Sequence, residues 1–259
     1  MFANARTSGE VNCYFTEKMR KMKIFIIIAI ILIVIVALWF KNKGKSKNMR
    51  ELPTEFVMLE SKTESTKFIP VLEKNWIDEL YQKYQNKKFV TYPNEHTDLS
   101  EKLCNDVYIK NKYWEKNKTH SIFLNELTKE QRIYFVLINF ESQVNNGGVY
   151  QFLFNYPELA IIALESMKIT KMEKLSKDYE VVLNEYFGKF KTIQELNEKF
   201  QNNKTEWNKR WNSFAEGYKE LKSTETIEKY FNEEKFIEEF QIKMNEFVKL
   251  NNQKLYKTE

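Results

Sequence analysis

Residues 141–155 read Glu-Ser-Gln-Val-Asn-Asn-Gly-Gly-Val-Tyr-Gln-Phe-Leu-Phe-Asn and hold the densest set of side chains able to bind or react. Glu141 offers a carboxylate that can take a proton, and Asn145, Gln151 and Asn155 offer amides that donate and accept. Glu141 and Asn145 are four residues apart, so they share one helical face; Gln151 and Asn155 share another by the same spacing. Between the pairs lie Asn146, Gly147 and Gly148, residue types that tolerate left-handed backbone and break a helix. Asn146 also suits the cap of the helix that follows. A bend at the glycines is expected to bring the two polar pairs together. Two outcomes fit that geometry. One is a polar pocket for a small ligand, a peptide or a reacting substrate. The other, favoured here, is an internal network that pins two helices, specifying one geometry when every group is paired.

The surrounding sequence predicts the helices that would hold this stretch. Thr128 and Gln131 have capping-box spacing, and Ile133, Val136, Leu137, Phe140 and Val144 then mark one helical face. Tyr134, Phe135 and Ile138 widen its apolar surface, which predicts a central helix. Pro157 suits a first helical position ahead of Leu159, Ile162, Ala163 and Met167. Met172, Leu175, Tyr179, Val182, Leu183 and Tyr186 continue, with Gly188 as a stop. Thr192 and Glu195 offer a second capping box. Trp207, Trp211, Phe214, Tyr218 and Leu221 form an aromatic stripe, and Phe236, Phe240, Met244 and Phe247 close the series. Such stripes are expected in the core. Residues 97–255 are therefore expected to form one all-α domain, large enough for a single core. Residues 41–96 hold three of the four prolines and read as a tether and partly extended linker, with one short helix near Trp76, Leu80 and Tyr84.

Outside the 141–155 stretch the reactive residue types are scattered. His96 and His120 are the only histidines, and neither has the spacing of a zinc-binding HExxH. Both are expected as surface or capping residues. Cys104, the only cysteine after residue 13, is expected as a small buried hydrophobe. No phosphate-cradling glycine loop and no GxSxG elbow occurs. The pairs Glu233-Glu234 and Glu238-Glu239 lie in Lys-rich stretches that read as solvated helix faces. No catalytic residue, metal site or cofactor is expected.

Seventeen apolar residues, 24–40, run without a charge, Gly or Pro. As a helix they would span about 25 Å, the short end of a bilayer's hydrocarbon core. Trp39 and Phe40 close the run, and Lys23 and Lys41 flank it. The expectation is a basic flank over 1–23, a single transmembrane helix over 24–40 and a soluble multi-helix domain beyond, placed at the cell membrane. Five basic residues lie on each side of the run, which leaves the direction open. Initiation at Met22 would make the downstream cluster dominant and put the body in the cytoplasm. Charge divides the same way. The chain is +5 overall, but residues 1–50 carry ten basic and two acidic residues, leaving 31 basic and 34 acidic over 51–259. A body of −3 lacks the basic footprint of a nucleic-acid binder, so nucleic acid is not an expected partner.

Glu141, Val144-Asn145-Asn146-Gly147-Gly148, Gln151-Phe152 and Asn155 together resemble the signature of a bacterial family of largely uncharacterised helical domains that includes a DNA-mimic protein. The resemblance extends from 97 to 250. It implies an all-α fold and a binding role, with the motif residues as fold determinants. The DNA-mimic activity itself implies a strongly acidic surface, which a body of −3 does not supply. The expected function is a membrane-anchored, protein-binding helical module with a protein partner of unknown identity. The alternative is an enzyme or small-ligand binder using Glu141, Asn145, Gln151 and Asn155.

Overall fold

The structure, a computed structural model, describes residues 55–87, 92–112, 120–202 and 214–259. Among these residues the chain is mostly helical, with eleven α-helices and one two-stranded parallel ladder. In chain order the helices are α1 (Lys74–Tyr84), α2 (Glu95–Asn111), α3 (His120–Asn125), α4 (Lys129–Asn155), α5 (Ala160–Ile169), α6 (Glu173–Tyr186), α7 (Ile193–Asn202), α8 (Phe214–Glu220), α9 (Thr224–Phe231), α10 (Glu234–Leu250) and α11 (Asn252–Leu255). The strands are β1 (Val71–Leu72) and β2 (Lys257–Thr258).

The long helix α4 is central, and its start is written in the sequence. Thr128 accepts a hydrogen bond from the Gln131 amide, and the Gln131 side chain accepts one from the Thr128 amide, the two halves of a capping box. Ile133, Val136, Leu137, Phe140 and Val144 are all buried. α5 and α9 pack most extensively on α4, while α6 packs against both. Pro157 opens a 3-10 turn (Pro157–Leu159) that leads directly into α5. Gly188, at φ +79°, follows the end of α6 as the stop its position suggested. Thr192 accepts from the Glu195 amide as expected, but the Glu195 carboxylate reaches back to the Lys191 amide instead of that of Thr192. The short helix expected near Trp76, Leu80 and Tyr84 is α1.

From residue 55 onward the expected linker is packed against the helices. Phe56 stacks on Phe200 with ring centroids 4.0 Å apart, and the Val57 amide donates to the Glu158 carbonyl at 2.8 Å. Glu64 pairs with the wholly buried Arg132, and Gln131 Nε2 donates to the Phe68 carbonyl at 3.3 Å. β1 then pairs with β2 in the register Val71 to Lys257 and Leu72 to Thr258, tying the beginning of this unit to its end.

Three expectations need correction. The transmembrane helix over 24–40 and the single-pass cell-membrane localisation built on it find no support: no helix among the described residues is long and apolar enough to cross a membrane. Even the 27-residue α4 is broken by a kink and spends its apolar residues on neighbouring helices. The run itself, with the flank 1–23 and the tether up to 54, lies outside the described residues, as do Trp207 and Trp211. Within the described part of the aromatic stripe, Leu221 is buried, but Phe214 and Tyr218 are 39% and 42% exposed. Both meet Tyr150 in edge-to-face contacts, with ring centroids 5.2 and 6.2 Å away. Finally, His96 and His120 are buried, not surface residues.

Candidate functional site

The stretch 141–155 lies inside α4, which bends where the two glycines meet. Gly147 has φ −167°, extended backbone open to any residue, whereas Gly148 has φ +83° and ψ 174°, a region nearly confined to glycine. Space reinforces the choice at Gly148. A β-carbon there would strike the Glu228 carboxylate from α9 and only touch the Tyr218 ring from α8. Those two side chains hold each other, Tyr218 Oη donating to Glu228 Oε2 at 3.1 Å.

Glu141 stands on the first half of the bent helix. It lies between α2 and α10, 12% exposed at the side chain. His96, 2% exposed, places Nε2 2.9 Å from Glu141 Oε2. A carboxylate accepts, so that ring nitrogen carries the proton. Gln241, wholly buried on α10, donates to Glu141 Oε1 at 3.1 Å and to Tyr92 Oη at 2.9 Å. The Gln241 carbonyl accepts from the Asn94 amide at 2.9 Å, and Asn94 caps α2 by accepting from the Thr97 amide. Every hydrogen-bonding group of Gln241 is thus committed. Burial pushes the Glu141 carboxyl up, but the His96 ring and the Gln241 amide outweigh it and hold it below the usual carboxylate range. A second rung joins the same helices. Asn245 donates to Glu95 Oε1 at 3.0 Å, and Lys249 Nζ lies 3.3 Å from that oxygen.

The amides beyond the bend make a different arrangement. Gln151 and Asn155 both donate to Gln143 Oε1, at 3.0 and 2.8 Å. One oxygen before the kink therefore holds two side chains after it, and a β-carbon on Gly147 would collide with the Gln151 amide. Phe152 goes into the core, edge-on to Phe140 at 5.0 Å. Asn145 and Asn146 are exposed.

The expected convergence of four polar side chains is thus resolved into two separate networks. Gln151 and Asn155 are brought together, while Glu141 and Asn145 are not. Gln143, His96, Asn94, Gln241 and Glu228 were not among the expected residues. A glutamine in line with Met244 and Val248 on the inward face of α10 was the one available signal, since a polar residue there demands partners. Cavities open elsewhere. One of about 200 Å³ lies beside Tyr150, Tyr186 and Gly217, and one of about 520 Å³ beside Tyr84, Glu95 and Lys249. A third, of about 820 Å³, is bounded by α1, α10, α11 and β2. None of these three is lined by Glu141, Asn145, Gln151 or Asn155.

The remaining reactive types are also placed. His120 Nδ1 lies 3.5 Å from Glu158 Oε1, both side chains buried, with the ring edge-on to Tyr156. Cys104 is partly buried on α2, and burial pushes its thiol up to about 12, far from a reactive thiolate. Among the described residues no group of three or more His, Cys, Asp or Glu is placed to hold a metal ion. No curated protein and no solved structure matches the chain. Residues 125–250, from the last residue of α3 to the last of α10 and including the whole kinked helix, match the family model described as DMP19-like protein.

Proposed function

We propose that the helical domain is a protein-binding module and that the 141–155 stretch shapes it without reacting. One observation carries this reading. Three of the four polar side chains that could have lined a pocket are held by other side chains of the fold, Glu141 by His96 and Gln241, Gln151 and Asn155 by Gln143, and the fourth, Asn145, is at the surface. The match of residues 125–250 to a DMP19-like model supports a helical domain of the kind whose resemblance implies a binding role. A DNA-mimic mode draws no support from the charge, since 34 acidic residues over 51–259 are nearly cancelled by 31 basic ones.

The alternative, an enzyme or small-ligand binder at Glu141, Asn145, Gln151 and Asn155, would need those groups to converge on a cavity. One variant separates the readings. Glu141→Gln keeps the shape but removes the charge that orders His96 and Gln241, and should cost about 2 kcal/mol, roughly 5 °C in melting temperature. An unchanged melting temperature with lost ligand binding would restore the pocket. Binding itself is tested by chemical cross-linking of the full chain in its native extract. The expected result is one partner recovered at near-stoichiometric yield in every repeat. A chain that recurrently cross-links to nothing would end the proposal.

A further inference from the structure

We infer that the trough between α1, α10, α11 and β2 is a docking site for an extended, acidic peptide segment of a partner protein, which adds to the free edge of β2. The inference rests on the protein-binding reading and names the chemistry of the partner.

Charge is the first argument. The trough, about 820 Å³, is lined by Lys74, Lys249 and Lys257 against the single acid Asp78. That is a local reversal on a body whose acids outnumber its bases. Lys74 and Lys257 are exposed and make no ion pair among the described residues, so their charges are unspent. Lys249 is held in place, its ammonium 3.3 Å from Glu95 Oε1 and 5.1 Å from the centre of the Tyr81 ring. An ammonium fixed at the wall of a trough loses little side-chain freedom on meeting a carboxylate.

The backbone supplies the second argument, and it selects a peptide over other polyanions. The Lys257 amide donates to the Pro70 carbonyl at 2.8 Å and the Glu259 amide to the Leu72 carbonyl at 3.2 Å. In an extended strand successive residues point their amide and carbonyl groups to opposite sides. Thr258, between these two, therefore turns its main-chain donor and acceptor away from β1, and it lines the trough. An exposed strand edge is a template for another extended chain. Main-chain pairing at Thr258, in a trough lined by Lys74 and Lys257 that are unpaired among the described residues, matches a strand with alternating acidic side chains. Tyr81 and Tyr256 also line the trough, their hydroxyls 3.5 Å apart, an apolar and weakly polar surface for the alternate side chains.

The test is fluorescence anisotropy of the full chain with a labelled decapeptide of alternating Glu and Val. A Lys-Val decapeptide and a ten-nucleotide oligothymidylate are the comparison probes. The Glu-Val peptide should bind, and its affinity should fall several-fold between 50 and 300 mM NaCl, as exposed charges are screened. Lys74→Glu with Lys257→Glu should weaken binding about tenfold at unchanged melting temperature; Lys74→Gln with Lys257→Gln serves where charge reversal lowers that temperature. Thr258→Pro removes the edge donor at a position where an edge strand tolerates proline, and should weaken binding several-fold. Absence of binding, binding indifferent to the lysine substitutions, or binding indifferent to Thr258→Pro would overturn the inference. So would oligothymidylate binding as tightly as the peptide. Cross-linking of the double lysine variant separates this failure from that of the broader reading. A partner still captured by that variant rules out the trough and leaves the binding module standing. A parent chain that captures nothing ends the module, while the peptide titration still decides the trough.

Discussion

The two halves of the kinked helix solve the same problem with different materials. Before the bend, Glu141 is a charged group taken out of water, and its partners come from 45 and 100 residues away in the sequence. Across the bend, Gln143 is a neutral amide, and its partners lie 8 and 12 residues ahead. The first network ties α4 to α2 and α10, so it is a tertiary clasp. The second ties α4 to itself, so it sets a local angle. Removing the clasp leaves a buried imidazole N–H and one N–H of a buried amide without their acceptor. Removing the local tie leaves amides that are only partly buried and can turn to water. The expected costs differ accordingly.

The largest effect should come from Glu141→Ala. It removes the acceptor of His96 and of one Gln241 N–H between α2 and α10, and breaking a buried charged pair on one side costs about 3–4 kcal/mol. Urea denaturation of the variant should show that loss in the midpoint, with the slope unchanged. A double-mutant cycle with His96→Ala should return much of the loss as interaction energy, because the two residues share one contact. A loss under 1 kcal/mol would mean that the clasp adds nothing to stability.

Next should come Gly148→Ala, at about 3 kcal/mol. The backbone at φ +83° and ψ 174° excludes a β-carbon, and the Glu228 carboxylate already fills its place. Glu228→Ala in the same chain should recover the steric part and leave the backbone part. Gly147→Ala should cost much less, because its φ of −167° suits any residue and the obstacle is the movable end of Gln151. Equal costs at the two glycines would show that the bend is held by side chains alone.

Acid should reveal the clasp more gently. The Glu141 carboxyl is held below its ordinary range in the folded chain, so the folded state binds that proton less readily than the unfolded one. Its contribution is complete above the ordinary carboxylate range and fades as pH falls through the lowered value. Other carboxylates, Asp98 and Glu185 among them, are lowered too and contribute to the same fall. The difference between the parent and Glu141→Gln isolates the one group: the stability gap between them should narrow below pH 4 and stay constant near neutrality. A gap independent of pH would show that Glu141 is not charged in the fold.

How much of this was legible follows the same division between local and distant. The cap at Thr128 and Gln131, the stop at Gly188 and the inward face from Ile133 to Val144 are statements about residues within a turn or two of one another. They were read from spacing and the structure agrees. The bend was legible from its two glycines. The use of Glu141 was not, because nothing in its vicinity names His96 or Gln241, and four-residue spacing suggested Asn145 instead. Asn145 shares a face with Glu141 only in part: the helix places one against α2 and α10 and the other at the surface. Gln143 was missed for a geometric reason. On a straight helix it would stand about 12 Å along the axis from Gln151, out of reach, and only the bend brings the pair to 3.0 Å.

The smallest effect worth measuring is therefore Gln143→Ala, at about 1 kcal/mol. It removes one acceptor that serves two donors, and Gln151 and Asn155 are half-buried, so water can replace it. Stability alone would make this substitution look unimportant, but the network's role is to set an angle. Loss of the tie should free the second half of α4, which carries Tyr150 and Phe152 into the core, and amide hydrogen exchange there should speed up while the first half stays protected. Asn145→Ala, four residues from Glu141 on the exposed side, is the matched control and should change neither stability nor exchange beyond about 0.5 kcal/mol. If exchange after Gln143→Ala rises evenly through both halves, the bend does not divide the helix into a clasped part and a hinged part, and the contrast between the two networks fails.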